Sequence, residues 1–205
     1  MTTQDPTADR DRMLSTFAEL VRTSPHNLVS RRARAELSTR HVPEAVALAH
    51  LLPSGQHRLL DVGSGGGFPG MVIAITRPDI EVHLLEATAK KVGFLREAAA
   101  ALVLDVEVHH GRAEELAAGP LRGAFDLVTA RAVAPLHELL DITLPFLAPE
   151  GVLYAVKGER WSEELAAAEP RLRQLGGIVL ATPDDQAEVE GSDAGPRVVM
   201  IGRSA

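Results

Sequence analysis

The sequence predicts an α/β fold in which helices cover both faces of a seven-stranded, mostly parallel sheet. Three observations lead to this prediction. From about residue 56 onward, short apolar runs of strand length alternate with stretches of helical periodicity, the pattern of a parallel sheet. The first of these runs ends in a glycine-rich turn at residues 61–70. The last two runs have no helical segment between them, which predicts a C-terminal antiparallel hairpin.

The chain of 205 residues is long enough for one domain with a small appendage. Residues 1–11 are polar and are expected to be disordered. Residues 12–55 are expected to form an N-terminal helical extension, and residues 56–205 the main domain. The predicted strands lie near 57–62, 81–86, 105–109, 125–129, 151–156, 177–181 and 197–202. The predicted helices lie near 13–21, 31–52, 69–76, 88–102, 113–117, 135–147 and 161–175.

The turn at residues 61–70, Asp-Val-Gly-Ser-Gly-Gly-Gly-Phe-Pro-Gly, is the most informative segment for function. A strand that passes through a glycine-rich turn into a helix is typical of nucleotide-cofactor sites, because glycine tolerates positive φ and lets a ligand approach the main chain. Asp61, Gly63, Gly65 and Gly67 fit the frame acidic-x-Gly-x-Gly-x-Gly. This frame, in which the carboxylate suits a nearby ammonium group, predicts S-adenosyl-L-methionine as the cofactor.

A dinucleotide is the alternative ligand for this turn. In the same frame, a dinucleotide fingerprint has glycine where the helix packs on the strand, and this chain has Phe68 there. Residues 65–70 also spell Gly-x-Gly-x-x-Gly, but that frame begins late after the strand. The second predicted strand ends in Glu86, 25 positions after Asp61. Nucleotide-binding motifs have, about 20 residues on, a carboxylate that accepts hydrogen bonds from ribose hydroxyls.

Composition excludes several classes of protein. The chain has no cysteine, which excludes disulfides and thiolate metal sites, and its eight histidines show no metal-binding spacing, so no metal is expected. No run of 18 apolar residues and no secretory signal is present, so a cytoplasmic protein without membrane contact is expected. The net charge of −7 argues against a general nucleic-acid coat, although Arg31, Arg32, Arg34 and Arg40 form a local basic cluster.

Turns after the later strands provide further candidates at the same sheet edge. Ala113 and Glu114 follow the third strand, where a backbone amide and an acidic side chain can recognise adenine, although acids also favour a helix N-terminus. Arg131 follows the fourth strand and can hold a carboxylate or phosphate, and Lys157 follows the fifth. The fourth turn lacks the Asn/Asp-Pro-Pro-aromatic sequence used for exocyclic-amine methylation. Without cysteine, carbon-5 methylation of pyrimidines is excluded as well.

Taken together, these segments resemble the bacterial glucose-inhibited division protein B family, the small-subunit (16S) ribosomal RNA guanine-N7 methyltransferases. The resemblance extends from about residue 12 to the end of the chain. Its most specific parts are the Gly-Phe-Pro-Gly extension of the glycine turn and the Arg-Ala-Val-Ala turn. The matching segments are residues 27–28, 40–41, 60–70, 84–86, 90–95, 112–115, 131–134, 157–158 and 196–199.

The resemblance implies a Rossmann-like class I S-adenosylmethionine-dependent methyltransferase fold. It also implies cofactor contacts at Gly63, Phe68, Glu86, Ala113, Glu114 and Arg131. Asn27, Arg40 and His41 would lie near the acceptor site, for which Lys157 is a further candidate. The chain departs from the family at Val29-Ser30, where a threonine or serine usually comes first, and in the arginine-rich run that follows.

The implied reaction requires no strong general base, because guanine nitrogen-7 offers an in-plane lone pair and has no proton to lose. Positioning of the reactants is therefore expected to supply the catalysis. The expected partner is small-subunit ribosomal RNA, free or in an assembling subunit, and the protein is expected to be a monomer. The alternatives are methylation of a small molecule or another RNA site, a nicotinamide oxidoreductase, and a non-catalytic regulator that binds the cofactor.

Overall fold

The computed structural model describes residues 6–185 and 195–203. Seven strands form one sheet in the order β3-β2-β1-β4-β5-β7-β6. They are β1 (His57–Val62), β2 (Ile80–Glu86), β3 (Val106–His110), β4 (Phe125–Arg131), β5 (Leu147–Lys157), β6 (Gly177–Ala181) and β7 (Arg197–Arg203). The first five strands are parallel, whereas β7 is antiparallel to both β5 and β6. The predicted fold class, including the C-terminal hairpin, is confirmed.

The α-helices are α1 (Pro6–Thr23), α2 (Arg31–Ala35), α3 (Val42–Leu51), α4 (Gly70–Thr76), α5 (Ala89–Ala101), α6 (Ala113–Leu116), α7 (Leu136–Thr143) and α8 (Trp161–Gln174). Disorder was expected to residue 11, but α1 begins at Pro6, since proline is well suited to a first helical turn. Residues 1–5 lie outside the described part of the chain. None of the helices in residues 6–185 and 195–203 is long and apolar enough to cross a bilayer.

The helix expected over residues 31–52 is divided into three pieces. A π-helical turn, Leu37–His41, separates α2 from α3. Pro43 has no amide hydrogen and its ring excludes the carbonyl four residues earlier, so regular α-helical bonding cannot pass through this point. The His41 amide instead donates to the Glu36 carbonyl oxygen five residues back, at 3.2 Å. Such turns often occur at functional sites, and this one carries Arg40 and His41.

Two hydrophobic clusters fill the two sides of the sheet. Successive strand residues alternate between them: Leu59 lies in the first cluster and Leu60 in the second. Helices α1, α3, α4 and α5 contribute to the first cluster, and α6, α7 and α8 to the second. The N-terminal extension therefore shares its core with the sheet, through residues such as Phe17 and Leu48.

Candidate functional site

The candidate site lies where the five parallel strands end. The strand order reverses between β1 and β4: β2 and β3 are added on one side of β1, whereas β4 and β5 are added on the other, with all five strands parallel. In open α/β sheets a crevice forms at such a switch point, outside the carboxyl ends of the strands. Apart from Asn27, Arg40 and His41 in the N-terminal extension, the predicted site residues lie at or just after the ends of β1, β2, β3, β4 and β5, so the fold brings them to this one edge.

The glycine loop after β1 presents bare main chain at this crevice. Gly63, Gly65 and Gly67 have φ angles of 71°, 57° and 92°, which side chains with a Cβ rarely adopt. The amides of Gly63 and Ser64 both donate to the Leu85 carbonyl oxygen, at 2.9 and 3.0 Å. The loop is thereby fixed to the end of β2.

Asp61 fixes the start of this loop from inside the protein. Its side chain is fully buried. Oδ2 accepts a hydrogen bond from the Gly70 amide at 3.1 Å, and Oδ1 accepts one from the Thr129 hydroxyl at 2.8 Å. Burial raises the pKa of Asp61 to about 6, against the opposing effect of these hydrogen bonds. Asp61 thus connects β1 to α4 and β4, and its contact with the cofactor stays a prediction.

Glu86 holds the middle of the loop and lies at the end of β2. Its Oε2 accepts from the Gly65 amide at 3.0 Å, and its Oε1 accepts from the Thr88 amide at 2.8 Å. Each carboxylate oxygen has a second lone pair, so both can still accept from a ligand hydroxyl. Glu86 therefore combines a structural role with the acceptor chemistry expected of a ribose contact.

Two other loop residues face the core. The Phe68 side chain is 4% exposed, and its ring centroid lies 5.1 Å from that of Phe17. The close approach of helix to strand occurs at Gly70, where an added Cβ would lie 2.7 Å from Asp61 Oδ2 and would overlap Leu84. Position 70, and not position 68, is thus the packing glycine, so Phe68 alone does not discriminate against a dinucleotide.

The N-terminal extension covers the glycine loop. A Cβ at Gly66 would lie 3.1 Å from Val29 Cγ1 and 3.3 Å from Leu28 Cβ, so a larger residue there would require these side chains to shift by a few tenths of an ångström. Asn27, immediately before these residues, is exposed and is not part of the cleft described next. The structure therefore does not bring Asn27 together with the other acceptor-side candidates.

A cleft of about 1270 Å³ opens between the N-terminal extension, the turn after β4 and α8. It contains three of the predicted acceptor-side residues, Arg40, His41 and Lys157, together with Arg131. Ala132, at the same turn, has a φ of 54°, which places a non-glycine residue in the left-handed region and strains the backbone at the cleft wall. The remaining lining residues are Val29, Ser30, Arg32, Ala33, Glu44, Val133, Ala134, Pro135, His137, Val156, Gly158, Glu159, Arg160, Glu163, Glu164, Ala167, Gly195, Pro196 and Arg197.

Arg131 organises the inner part of this cleft. Its Nη1 donates to His41 Nδ1 at 3.1 Å and lies 3.8 Å from Glu44 Oε2, and its guanidinium carbon is 5.4 Å from the Phe68 ring centroid. Burial lowers the pKa of Arg131, an effect that Glu44 and Asp61 oppose. Phe68 therefore contributes to the site as the surface on which Arg131 rests.

His41 has a defined tautomer in this arrangement. Because Arg131 donates to Nδ1, the proton of the neutral ring is on Nε2. His41 Nε2 is buried and has no hydrogen-bond partner within the described part of the chain. Burial, and then the charge of Arg131, lowers the pKa of His41, which keeps the ring neutral near pH 7.

Lys157 is held within the protein. Its ammonium donates to the Ala134 carbonyl oxygen at 3.0 Å and pairs with Glu164 at 2.8 Å, and its side chain is 6% exposed. Glu164 also accepts from the Leu136 amide at 3.0 Å. Lys157 therefore fastens the turn after β4 to α8, and its ammonium is already engaged at two positions.

The cofactor-side residues form a second group, at the glycine loop and the adjoining strand ends. Gly63, Gly65, Glu86, Ala113 and Glu114 are absent from the cleft lining. The Gly111 amide donates to the Glu86 carbonyl oxygen at 3.2 Å, which places the start of α6 beside the end of β2. Ala113 is buried, whereas Glu114 is exposed.

Val133 lies at the boundary between the two groups, because its Cγ2 would be 2.7 Å from a Cβ at Gly63. Val133 also lines the cleft, so the glycine loop and the cleft are directly adjacent.

The basic cluster predicted at residues 31–40 divides into two kinds of arginine. Arg34 donates to the carbonyl oxygens of Arg22, Ser24 and His26, at 2.9–3.3 Å, so it stabilises the chain after α1 and is not available for a phosphate. Arg32 and Arg40 are exposed and line the cleft, and Arg31 is exposed.

Sequence reasoning missed the acids that hold these cations. Glu44 pairs with Arg40 at 2.8 Å and approaches His41 and Arg131 at 3.6 and 3.8 Å. Its spacing of three and four residues from His41 and Arg40 on one helical segment was the signal that could have found it. Glu164 had no such local signal, because its partner Lys157 lies on another element.

Comparison with known proteins identifies related sequences. Residues 11–190 match the family model GidB, rRNA small subunit methyltransferase G. The chain is 48% identical over 163 residues to the ribosomal RNA small subunit methyltransferase G of Sorangium cellulosum, covering 77% of this chain and 68% of that protein. Identity to the protein of the same name from Kineococcus radiotolerans is 37% over 201 residues, covering 95% and 76%. The chain spans 60% and 64% of the relatives from Acidothermus cellulolyticus and Salinispora tropica.

Solved structures share the fold at low sequence identity. TYW2 of M. jannaschii, solved in complex with AdoMet, has a TM-score of 0.57 and 16% identity, covering 78% of this chain and 75% of that chain. This likeness shows the overall fold alone.

Proposed function

Because the chain belongs to the rRNA small subunit methyltransferase G family, we propose that it is an S-adenosyl-L-methionine-dependent methyltransferase that modifies nitrogen-7 of a guanine in small-subunit (16S) ribosomal RNA. The family match over residues 11–190 carries this proposal. The expectation of family membership drawn from the sequence is thereby confirmed.

The residues around the glycine loop fit the cofactor. Gly63 and Gly65 offer bare main chain at positive φ, and Glu86 offers two carboxylate oxygens with free lone pairs beside them. Gly63, Gly65 and Glu86 would hold the nucleoside part, with Ala113 and Glu114 at the adenine. When bound, S-adenosyl-L-methionine supplies an electrophilic methyl group on its sulfonium sulfur.

The cleft beyond the glycine loop is the proposed acceptor site. The two carboxylates beside Arg131 and Lys157, those of Glu44 and Glu164, are both engaged with cations, and the other two acids of the lining, Glu159 and Glu163, are exposed. A guanine ring nitrogen with an in-plane lone pair requires only orientation in such a site. Arg131, supported by Phe68, His41 and Glu44, is held rigidly enough to provide that orientation.

His41 is proposed to identify the base. The Hoogsteen edge of guanine carries two acceptors, N7 and O6, whereas adenine has an amino donor in place of O6. A neutral His41 with its proton on Nε2 would donate to O6 and leave the N7 lone pair free. Nε2 is buried and unpartnered in this structure, so the contact requires the His41 side chain to become exposed when RNA binds; an unsatisfied donor then favours an acceptor.

Replacing His41 tests this role. The His41→Phe variant keeps an aromatic ring and loses the donor, so kcat/KM for RNA should fall about 10-fold or more while the cofactor Kd stays within a factor of two. An unchanged kcat/KM would remove His41 from base recognition.

The partner proposed is ribosomal RNA within an assembling subunit, bound by a monomeric, cytoplasmic enzyme without membrane contact. Four exposed arginines at the cleft, Arg32, Arg40, Arg160 and Arg197, would contact phosphates. The ion pairs of Arg32 with Glu36 and of Arg40 with Glu44 lie at the surface and are weak, so the guanidinium groups can exchange these partners for phosphate.

The proposed function is tested by methyl transfer from radiolabelled S-adenosyl-L-methionine. Small subunits purified from cells that lack this protein, naked 16S RNA and a mixture of small-molecule acceptors serve as parallel substrates. We expect label in RNA with the wild-type protein and a strong loss with Glu86→Ala. Cofactor binding without label in either RNA substrate would contradict the proposal and favour a small-molecule methyltransferase or a regulator.

A further inference from the structure

A cluster of metal-binding side chains lies on β2 and β3, outside the site described above. His83 is on β2, and Glu107 and His109 are on β3; in the sheet register His83 is paired with Glu107. One possible ligand atom from each of the three residues lies within 4.8 Å of the others. From this geometry we propose that His83, Glu107 and His109 bind a divalent transition-metal cation of the zinc type.

The distances suit a tetrahedral cation. His83 Nδ1 lies 2.9 Å from His109 Nε2 and 3.4 Å from Glu107 Oε2. Neighbouring ligand atoms of a tetrahedral zinc ion are about 3.3 Å apart, given zinc–nitrogen and zinc–oxygen bonds of about 2.0–2.2 Å. Small side-chain movements would therefore place the three atoms around one ion, with water as the fourth ligand.

The ring of His83 is already oriented for this role. Its Nε2 lies 2.8 Å from Glu81 Oε1, so Nε2 carries the proton and Nδ1 turns its lone pair toward His109 and Glu107. A carboxylate behind a histidine ligand in this way is the usual support of a metal site. His83 is also 2% exposed and packs edge-on against Phe125, with ring centroids 5.0 Å apart, which fixes its rotamer.

Charges around the cluster favour a cation on the Nδ1 side. Glu107 supplies a carboxylate there. The opposing charge, Arg58, lies on the other side of the ring, 3.3 Å from Glu81 and 3.5 Å from His83 Nε2. Imidazole and carboxylate ligands together select zinc, cobalt, nickel or copper over magnesium.

The spacing of the ligands explains why no metal was expected from the sequence. His83 is separated from Glu107 by 24 positions, and the two residues meet only because β2 and β3 are paired in parallel. The other two ligands stand two positions apart on one strand, a spacing that puts them on the same face but matches no metal motif.

Cobalt(II) titration tests the proposal, because a tetrahedral site with nitrogen ligands gives cobalt a visible absorption that octahedral aqueous cobalt lacks. The full-length protein is used without a histidine tag; the chain contains no cysteine that would compete. We expect one equivalent to bind with that absorption and to be displaced by zinc. The His109→Gln variant should weaken binding at least 100-fold, and Glu107→Gln, at an exposed position, at least 10-fold.

Two further variants make the result specific. Glu81→Gln leaves all three ligands in place and should weaken binding by about 10–100-fold, since it removes only the carboxylate behind His83. His110→Gln, at the adjacent exposed histidine, should bind cobalt as the wild type does. Absence of a stoichiometric site, or binding that is equal in wild type, His109→Gln and Glu107→Gln, would overturn the proposal and leave the cluster as a hydrogen-bonded histidine pair.

Discussion

Asp61 illustrates at the scale of a single residue how burial sets charge. Its carboxylate is fully enclosed, and its pKa is raised to about 6 from 3.8. A raised pKa means that the folded state holds the proton more tightly than the unfolded chain. The contribution of Asp61 to stability is therefore greatest below pH 4 and decreases as the pH rises from about 4 to about 6.

The Asp61→Asn variant should lack this pH dependence. The difference in unfolding free energy, wild type minus variant, is expected to fall by about 3 kcal/mol between pH 4 and pH 7, from a shift of about two pKa units. Urea unfolding at a series of pH values measures it. A difference that stays constant across this range would show that Asp61 is ionised throughout.

Glu86 is the proposed contact to the ribose of the cofactor. On this proposal its removal deletes acceptors for two ribose hydroxyls, so Glu86→Ala should weaken the binding of S-adenosyl-L-methionine by about 10–100-fold, measured by isothermal titration calorimetry. Because Glu86 also accepts a hydrogen bond from the Gly65 amide, its removal would loosen the glycine loop, and this loosening would weaken cofactor binding as well.

A double-mutant cycle separates these two effects. The 2′-deoxy analogue of S-adenosylhomocysteine should bind the wild type less well than the parent compound, yet Glu86→Ala should bind both compounds equally. Glu115→Ala, at an exposed neighbouring acid, is the control. If the variant still prefers the parent compound as strongly as the wild type does, Glu86 does not contact the ribose.

The types of residue in the site could be predicted from the sequence more reliably than the contacts that each of them makes. The sequence placed Glu86 at a strand end, which the structure confirms. It gave no indication that Phe68 supports Arg131, because these residues lie on elements distant along the chain, or that Lys157 is paired with Glu164, because these residues lie on two different elements with a turn between them. Contacts between elements become visible only in the folded structure.

At the scale of elements, the start of α4 shows why one glycine cannot be replaced. Gly70 has an ordinary φ, so the constraint there is space: a Cβ would overlap Leu84 and Asp61. Gly70→Ala should lower the unfolding free energy by about 1–3 kcal/mol. The matched control is Gly93→Ala in α5, where nothing lies within 4 Å, and which should raise the unfolding free energy by about 0.5–1 kcal/mol. Equal effects of the two variants would contradict the packing argument.

The connection after α1 depends on a single arginine. Arg34→Ala removes hydrogen bonds to three carbonyl oxygens and should destabilise the protein by about 1–3 kcal/mol. Arg31→Ala, at an exposed neighbour, should change stability by less than about 0.5 kcal/mol. Thermal unfolding of both variants measures this difference in stability. Similar melting temperatures would show that the Arg34 hydrogen bonds contribute little to stability, and Arg34 would again be a candidate for RNA binding.

The types of the secondary-structure elements could be predicted, because the local sequence pattern determines them. An interruption within a helix could not be predicted in this way. All seven strands lie where alternation and apolar runs placed them. The π-helical turn at Leu37–His41 was not anticipated, since the apolar spacing of residues 31–52 is continuous through it. Its cause, the missing amide of Pro43, is visible in the sequence, but the choice of a π turn over a kink depends on packing.

At the scale of the whole molecule, the sheet order gathers residues from five strand ends and the N-terminal extension to one edge. The glycine loop, held by Glu86, lies beside the cleft that contains Arg131. The architecture could be predicted from the alternation of elements and the final hairpin. The position of the cleft could not, because it depends on how Val133 and Val29 pack on the loop.

The central claim is that this arrangement transfers a methyl group to nitrogen-7 of one guanine. The most direct measurement treats small subunits from cells lacking the protein with the enzyme and S-adenosyl-L-methionine, and then cleaves the RNA by borohydride reduction and aniline, which act at 7-methylguanine. We predict one new enzyme-dependent cleavage in the small-subunit RNA. Methyl incorporation without any such cleavage would contradict the claim, since it would show that the methyl group was transferred to a different atom.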